Sequence, residues 1–121
     1  MTWPPRASKL TFVAPADRRW PGGDCIDLAT LDAEESVIEA RFGVALERGF
    51  EVGLGDWVAL GGRMPSGREF ELIRYLQAPG PRCFIVRVDA GADLAAALDE
   101  VLAMASIRRE ALLWLSPRIG D

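Results

Sequence analysis

Alternation of apolar and polar side chains predicts strands in the second half of the chain. In "RCFIVRVD", Phe84, Val86 and Val88 would lie on one face of a strand, whereas Cys83 and Arg87 would lie on the other. Four further segments have strand-forming composition: "KLTFVAP", "DWVALGG", "EFELIRYL" and "EALLWL". The pattern therefore predicts a sheet of about five strands.

Helical periodicity is clearest in "ADLAAALDEVLAMAS". Apolar residues recur there at helical spacing: Leu94, Leu98, Val101, Leu102 and Ala105. Asp93 lies near the start of this segment, where a carboxylate complements the helix dipole. We predict an amphipathic helix over this segment.

An earlier segment, "LDAEESVIEARFGVALE", allows two interpretations. Alternating apolar residues in its second half suit a strand. However, Asp32 and Glu35 have the spacing of a helix capping box, and Gly43 lies where a helix would end in a left-handed residue. Because these start and stop signals agree, we predict a helix over residues 33–42 and a strand that begins at Val44.

The predicted order of elements indicates the fold class. It runs strand, helix, two to four strands, helix and strand, within a single domain over residues 1–121. Hairpin-linked strands between two helices favour a two-layer α+β sandwich. We expect an antiparallel or mixed sheet with both helices on one face.

Histidine is absent from all 121 residues, and this excludes the commonest catalytic and metal sites. A Ser-His-Asp triad, a Cys-His dyad and a histidine metal site all require imidazole. No other catalytic motif is recognisable in the sequence. The sequence therefore favours a non-enzymatic protein without a cofactor or a metal.

The cellular location is inferred from the apolar segments. The N-terminal residues lack the apolar core of a secretion signal, and no stretch approaches the roughly 18 apolar residues of a membrane helix. We therefore expect a cytoplasmic protein in which Cys25 and Cys83 are both reduced. Asp24 and Asp27 disfavour the thiolate of Cys25, and Cys83 lies in an apolar strand, so we expect neither to be a nucleophile.

The segment "GRMPSGRE", residues 62–69, has the glycine spacing of a phosphate-binding loop. Arg68 stands at the position of the lysine, and Glu69 stands where a hydroxyl would bind magnesium. A carboxylate there would repel phosphate, and Pro65 removes one backbone amide. We predict a β-hairpin here, with a helix over "EFELIRYL" as the alternative.

Two pairs of residues within the predicted strands have structural explanations. Glu69 and Glu71 would project from one strand face, which acid–base chemistry could use, but we expect solvated charges. Trp57 and Trp114 lie in strand-like segments, and we expect both in the core.

Charge is unevenly distributed along the chain, whose net charge is −4. Residues 24–39 contain carboxylates and no cation: Asp24, Asp27, Asp32, Glu34, Glu35 and Glu39. Helix capping accounts for only some of them. An acidic protein with a single lysine offers no footprint for nucleic acid. We predict instead that Asp24, Asp27, Glu35 and Glu39 contact a basic protein partner.

Two functional hypotheses follow from these observations. The first is a small acidic protein-binding module, such as an inhibitor, an immunity-like protein or an adaptor. The second is a small-ligand-binding or regulatory domain, or a minor enzyme, with an anion site lined by Arg63, Arg68, Arg74 and Arg87. The missing histidine and the charge asymmetry favour the first.

The interpretation of residues 62–69 as a hairpin predicts that ATP or GTP with magnesium will leave the Tm unchanged. A ligand of the native state must raise apparent stability by mass action, and thermal melts with and without nucleotide measure this. A saturable rise that Arg68→Ala abolishes would restore the phosphate-loop interpretation.

Overall fold

The structure, a computed structural model, describes residues 11–12, 20, 24–78 and 83–119. Within these ranges the chain forms one antiparallel sheet of seven strands and two α-helices. The helices are α1 (Glu35–Phe42) and α2 (Leu94–Ala105). The strands are β1 (Thr11–Phe12), β2 (Cys25–Asp32), β3 (Glu47–Glu51), β4 (Gly55–Arg63), β5 (Glu69–Tyr75), β6 (Cys83–Asp89) and β7 (Leu112–Leu115).

The strand order is β1-β4-β5-β6-β2-β7, and β3 also pairs with β4. Strands β3 to β6 are consecutive antiparallel neighbours. β3 and β1 share one edge of β4, with β3 along residues 55–59 and β1 along residues 62–63. β2 lies beside β6, and β7 forms the opposite edge of the sheet.

The hydrophobic core lies between the helices and one face of the sheet. Phe84, Val86 and Val88 are fully buried, as the alternation along this strand predicts. Val86 pairs with Leu72 and Val88 pairs with Phe70, so the apolar side chains of β5 and β6 share this face. Both helices contribute to the same core cluster through Ile38, Phe42, Ala97, Leu98, Val101, Leu102 and Ala105.

The opposite side of the sheet is called the outer face, and it carries Asp27, Glu71, Ile73, Ile85 and Arg87. The cross-strand pairs Asp27–Arg87, Glu71–Arg87 and Ile73–Ile85 place these residues together. Because strand side chains alternate, every one of them points away from the two helices. The sheet therefore has an apolar face under the helices and a partly charged outer face.

Local signals set the helix ends, although one of the predicted signals is wrong. Gly43 ends α1 at φ 72° and ψ 24°, and its N–H donates to the Glu39 carbonyl over 2.7 Å, as the predicted glycine stop requires. Asp93 caps α2 by accepting a hydrogen bond from the Ala96 N–H. The predicted capping box at Asp32 is wrong, because Asp32 belongs to β2 and pairs with Cys83.

The predicted α+β class, with an antiparallel sheet and two helices, is confirmed, but the sheet has more strands than expected. The sequence pattern missed β2, whose register shifts between Asp27 and Ala29. This irregularity leaves Leu28, Ala29 and Leu31 all buried, so the strand lacks simple alternation. The strand after α1 begins at Glu47 rather than at Val44.

The hairpin prediction for the phosphate-loop-like segment is confirmed. "EFELIRY" is strand β5, so the helix alternative is wrong. The Met64 N–H donates to the Arg68 carbonyl, and the Gly67 N–H donates to the Met64 carbonyl, each over 2.8 Å. The remainder of the predicted first strand, apart from Thr11–Phe12, lies outside the described residues.

The structure corrects both tryptophan predictions. Trp57 pairs with Tyr75 on the outer face, so it lies outside the core cluster. It is only partly buried, and its indole lies where a Cβ at Gly49 would stand. Trp114 is 45% exposed on the edge strand β7 and is not a core residue. Sequence alternation alone does not distinguish an edge strand from a central one.

Leu98→Ala is expected to lower the free energy of unfolding by about 2–5 kcal/mol, because it removes a fully buried side chain between α2 and the sheet. Urea denaturation measures this loss. Val52→Ala, at a side chain that is 90% exposed, is the matched control and should stay within about 0.5 kcal/mol of wild type. Equal effects of the two substitutions would contradict the assigned core.

Candidate interaction surface

The carboxylates predicted to contact a partner lie on opposite sides of the sheet. Asp24 immediately precedes β2, and Asp27 is on the outer face of that strand. Glu35 and Glu39 are on α1, which packs against the other face. The acidic segment of residues 24–39, which we call the acidic block, is therefore continuous in sequence but divided between two sides of the sheet.

The two α1 carboxylates bind groups of the protein itself. Glu35 accepts hydrogen bonds from Arg48 over 2.9 Å and from Arg74 over 3.1 Å. Glu39 Oε2 accepts from the Leu46 N–H over 2.9 Å. These contacts tie α1 to the sheet and to the loop that follows it, so both carboxylates have structural roles.

On the outer face, Arg87 is the centre of a cluster of polar and charged side chains from four strands. Its Nε donates to Asp27 over 2.8 Å, and its Nη1 lies 3.5 Å from Glu71. The same Nη1 donates to the Tyr75 hydroxyl over 3.3 Å, and that hydroxyl donates to Glu51 over 3.1 Å. The cluster links β2, β6 and β5 to the end of β3.

The pKa shifts of Arg87 and Tyr75 are consistent with a structural role for this cluster. Burial lowers the pKa of Arg87, but hydrogen bonds with Tyr75 and Asp27 outweigh it, so the pKa lies above its usual value. Burial raises the pKa of Tyr75, against the opposing effect of Arg87. Arg87 therefore stays charged and Tyr75 stays neutral at physiological pH, and neither is poised for proton transfer.

Glu69 and Glu71 do share a strand face, but the expectation that they are solvated is wrong. They are only 6% and 7% exposed. Glu69 binds Arg63 over 2.8 Å, and Glu71 lies beside Arg87. Paired guanidinium groups offset part of the desolvation of these carboxylates, whereas Glu69 Oε1 is buried without a hydrogen-bond partner within the described residues.

The arginines of the alternative hypothesis do not converge on one cleft within the described residues. They occupy four separate ion pairs: Arg63–Glu69, Arg68–Glu100, Arg74–Glu35 and Arg87–Asp27. Arg74 pairs with α1 and Arg68 pairs with α2, whereas Arg87 lies on the outer face. Each guanidinium already donates to a carboxylate, so the geometry does not favour an anion site.

A depression of about 510 Å³ adjoins the hairpin that resembles a phosphate loop. Its lining residues are Ser66, Gly67, Arg68, Glu69, Asp89, Gly91 and Ala92. The Ser66 N–H and hydroxyl and the Arg68 guanidinium all donate to Glu100. Because this carboxylate takes the donors that a phosphate would need, the depression is unsuited to nucleotide.

The most distinctive surface is the tip of the β3–β4 hairpin, which the sequence analysis missed. Phe50, Val52 and Leu54 are 68%, 90% and 48% exposed, and we call them the apolar tip. Leu54 N–H donates to the Glu51 carbonyl over 3.0 Å across the turn, and Gly53 takes φ 88°, which glycine adopts without strain. The alternation of apolar residues in "GFEVGLG" was the signal available in the sequence.

The two cysteines are free thiols and lie too far apart to form a disulfide with each other. On the β2–β6 ladder, Cys25 pairs with Asp89 and Cys83 pairs with Asp32, at opposite ends. Cys83 and Asp89 are six residues apart on β6, which corresponds to about 20 Å along the strand. Cys25 and Cys83 are therefore separated by far more than the Cα–Cα distance of a disulfide. Burial raises the pKa of Cys25; Arg87 opposes this, and Glu71, Asp24 and Asp27 add to it.

Neither the described residues nor the comparisons with known proteins identify a family. No group of three or more His, Cys, Asp or Glu side chains in the described ranges could hold a metal ion. In the same ranges, no helix is long and apolar enough to cross a membrane. No family model, curated protein sequence or solved structure matches the chain significantly.

In a Cys83→Ser variant, the rate of Cys25 alkylation is expected to reach half its maximum at a higher pH than that of a small free thiol. The reason is that the reactive species is the thiolate and the pKa of Cys25 is raised. Iodoacetamide kinetics against pH measure the midpoint.

Two arginine variants serve as a matched pair for this measurement. Arg87→Met should move the midpoint still higher, because Arg87 opposes the shift. Arg109→Met removes an exposed arginine that pairs with Asp99, and it should leave the midpoint unchanged. A midpoint at or below that of the free thiol would refute the assigned environment of Cys25.

Proposed function

We propose that this chain is a protein-binding module whose apolar tip docks into a partner protein. The observation that carries the proposal is the exposure of Phe50, Val52 and Leu54 together on one hairpin. Scattered exposed apolar residues are ordinary, but a group of them at one projecting turn is typical of contact surfaces.

The hairpin is held in shape before any partner binds. The Trp57 indole packs against Gly49 across the β3–β4 pair. At the turn end of β4, Gln77 accepts a hydrogen bond from the Asp56 N–H over 2.8 Å. A preorganised loop loses less conformational entropy on binding, so more of the apolar contact energy remains as affinity.

Carboxylates around the apolar tip define the chemistry of the partner. Glu47, Glu51 and Asp56 flank the tip on the hairpin strands. The cation of β3, Arg48, is already matched by Glu35 of α1. The proposed partner therefore presents an apolar pocket bordered by lysine or arginine side chains, since complementary rim charges steer association.

The proposed contact lies on the hairpin and not on the acidic block that the sequence analysis favoured. The proposed partner is basic in both cases. Asp27, Glu35 and Glu39 have internal hydrogen bonds, so they contribute to the net negative field more than to a single docking face. An inhibitor, an immunity-like protein or an adaptor would each suit a small acidic module with a projecting apolar loop.

A photo-crosslinking amino acid at Val52 is expected to trap the partner in cells of the source organism. The same amino acid at Val37, a partly exposed valine on α1, is the control and should give no such adduct. The crosslinked protein is identified by mass spectrometry and then purified for binding kinetics. Identical adducts from both positions would argue against the hairpin as the contact.

With the purified partner, the triple variant Phe50→Ser/Val52→Ser/Leu54→Ser should bind roughly 100-fold more weakly, because central apolar anchors carry most interface energy. Val37→Ser should bind as wild type does. Glu47→Lys should mainly slow association and reduce its salt dependence. Unchanged affinity of the triple variant, with its fold intact by circular dichroism, would overturn the proposed function.

A further inference from the structure

The depression beside the β4–β5 hairpin has an acidic wall. Glu69 at the start of β5 and Asp89 at the end of β6 both line it, and they are 6% and 8% exposed. Phe70 pairs with Val88, so Glu69 and Asp89 are neighbours at the end of the same antiparallel ladder. Because Phe70 and Val88 belong to the core cluster, the two carboxylates lie together on the outer face.

One oxygen of this wall is left without a donor. Glu69 Oε2 accepts a hydrogen bond from Arg63 over 2.8 Å, whereas Glu69 Oε1 is buried and has no hydrogen-bond partner within the described residues. A buried acceptor that is not paired bears the full cost of its desolvation, so a donor that reaches it is bound favourably. Arg63 does not line the depression, and Oε1 is therefore the oxygen that remains for a ligand there.

The guanidinium that lines the depression does not oppose a cationic ligand. Arg68 donates to Glu100 over 3.1 Å, and the Ser66 N–H donates to the same carboxylate over 3.2 Å. Glu100 thus offsets the charge of Arg68. The other charged residues that line the depression, Glu69 and Asp89, are both acids, so the local field attracts cations.

We propose that this depression binds a primary alkylammonium group, with one N–H directed to Glu69 Oε1 and another to the Asp89 carboxylate. Within the described ranges, neither carboxylate belongs to a group of three or more side chains that could hold a metal ion. An ammonium requires acceptors and not a complete set of metal ligands, and it has three donors. The volume of about 510 Å³ has room for the attached alkyl chain.

A guanidinium fits this wall less well than an ammonium does. Its planar fork binds both oxygens of one carboxylate. However, Glu69 Oε2 is already bound to Arg63, and Asp89 Oδ1 accepts from the Gly91 N–H over 2.8 Å. An ammonium can donate to a single lone pair on each carboxylate, and the broad terminal torsion of glutamate lets Glu69 turn Oε1 toward it.

This site is independent of the function proposed for the apolar tip. Strand β4, nine residues long, separates the tip from the hairpin at the depression, which corresponds to about 27 Å. Loss of partner binding at the tip would leave the ammonium site intact, and the reverse also holds.

Titration of the isotope-labelled protein with n-butylamine at neutral pH is expected to shift the amide signals of residues 66–69 and 89–92 saturably. A ligand of so few atoms should bind with a Kd on the order of 1 mM. n-Butanol, which lacks the charge, and magnesium chloride should give no saturable shifts of these signals. No saturation with n-butylamine, or equal shifts with either control, would overturn the proposal.

Two glutamates of β5 provide a matched pair of variants. Glu69→Gln should weaken n-butylamine binding roughly tenfold or more, because it removes a charged acceptor. Glu71→Gln should bind as wild type does, since Glu71 is equally buried on the outer face but does not line the depression. Circular dichroism checks that each variant is folded. Undiminished binding by folded Glu69→Gln, or equal losses in both variants, would contradict the assigned site.

Removal of Arg63 tests the same oxygens in the opposite direction. Arg63→Met releases Glu69 Oε2 and should strengthen n-butylamine binding roughly threefold or more, because a competing cation is lost. Weaker or unchanged binding would count against the role of Glu69.

The source of the ammonium is identified by comparing diaminobutane with a blocked tripeptide, acetyl-glycyl-lysyl-glycinamide. Tighter binding of diaminobutane would assign the depression to a small amine, and tighter binding of the tripeptide would assign it to a lysine side chain. Binding of neither compound would overturn the proposal.

Discussion

One-sided helix coverage is the constraint on which the rest of this structure depends. Alternation along β6 places Phe84, Val86 and Val88 under the helices and directs Arg87 to the outer face. Because both described helices pack on the same face, the core is built from one set of strand positions and the outer face has to be stabilised differently. Ion pairs take that role, with Glu69 and Glu71 buried against Arg63 and Arg87.

This arrangement explains why the arginines are poor candidates for ligand binding. A guanidinium beside a buried carboxylate offsets that carboxylate's desolvation, so withdrawing it for an external anion would leave a buried charge unpaired. Arg87 shows this most clearly, since it joins Asp27, Glu71 and Tyr75 across the sheet. The four arginines proposed for an anion site instead pair with carboxylates of neighbouring strands and of both helices.

Sequence patterns predicted the parts of the fold that depend on local chemistry. The α2 period, the Asp93 carboxylate at the start of α2, the Gly43 stop and the hairpin at residues 62–69 all follow from short-range signals, and the structure contains each of them. β2 was missed because its bulge removes the alternation, and the burial of Glu69 depends on a distant partner. The division of the acidic residues between two sides of the sheet was not predictable, because proximity in sequence does not show that a β-strand and the following helix face opposite ways.

The β3–β4 hairpin shows how this domain separates the groups that stabilise the fold from the group proposed for contact. The charged side chains of the outer face bind one another, whereas Phe50, Val52 and Leu54 are exposed on a hairpin that pairs with the sheet through β4. A partner that covered the apolar tip would therefore gain apolar contact without opening the ion pairs of Arg87, whose loss would leave buried carboxylates unpaired.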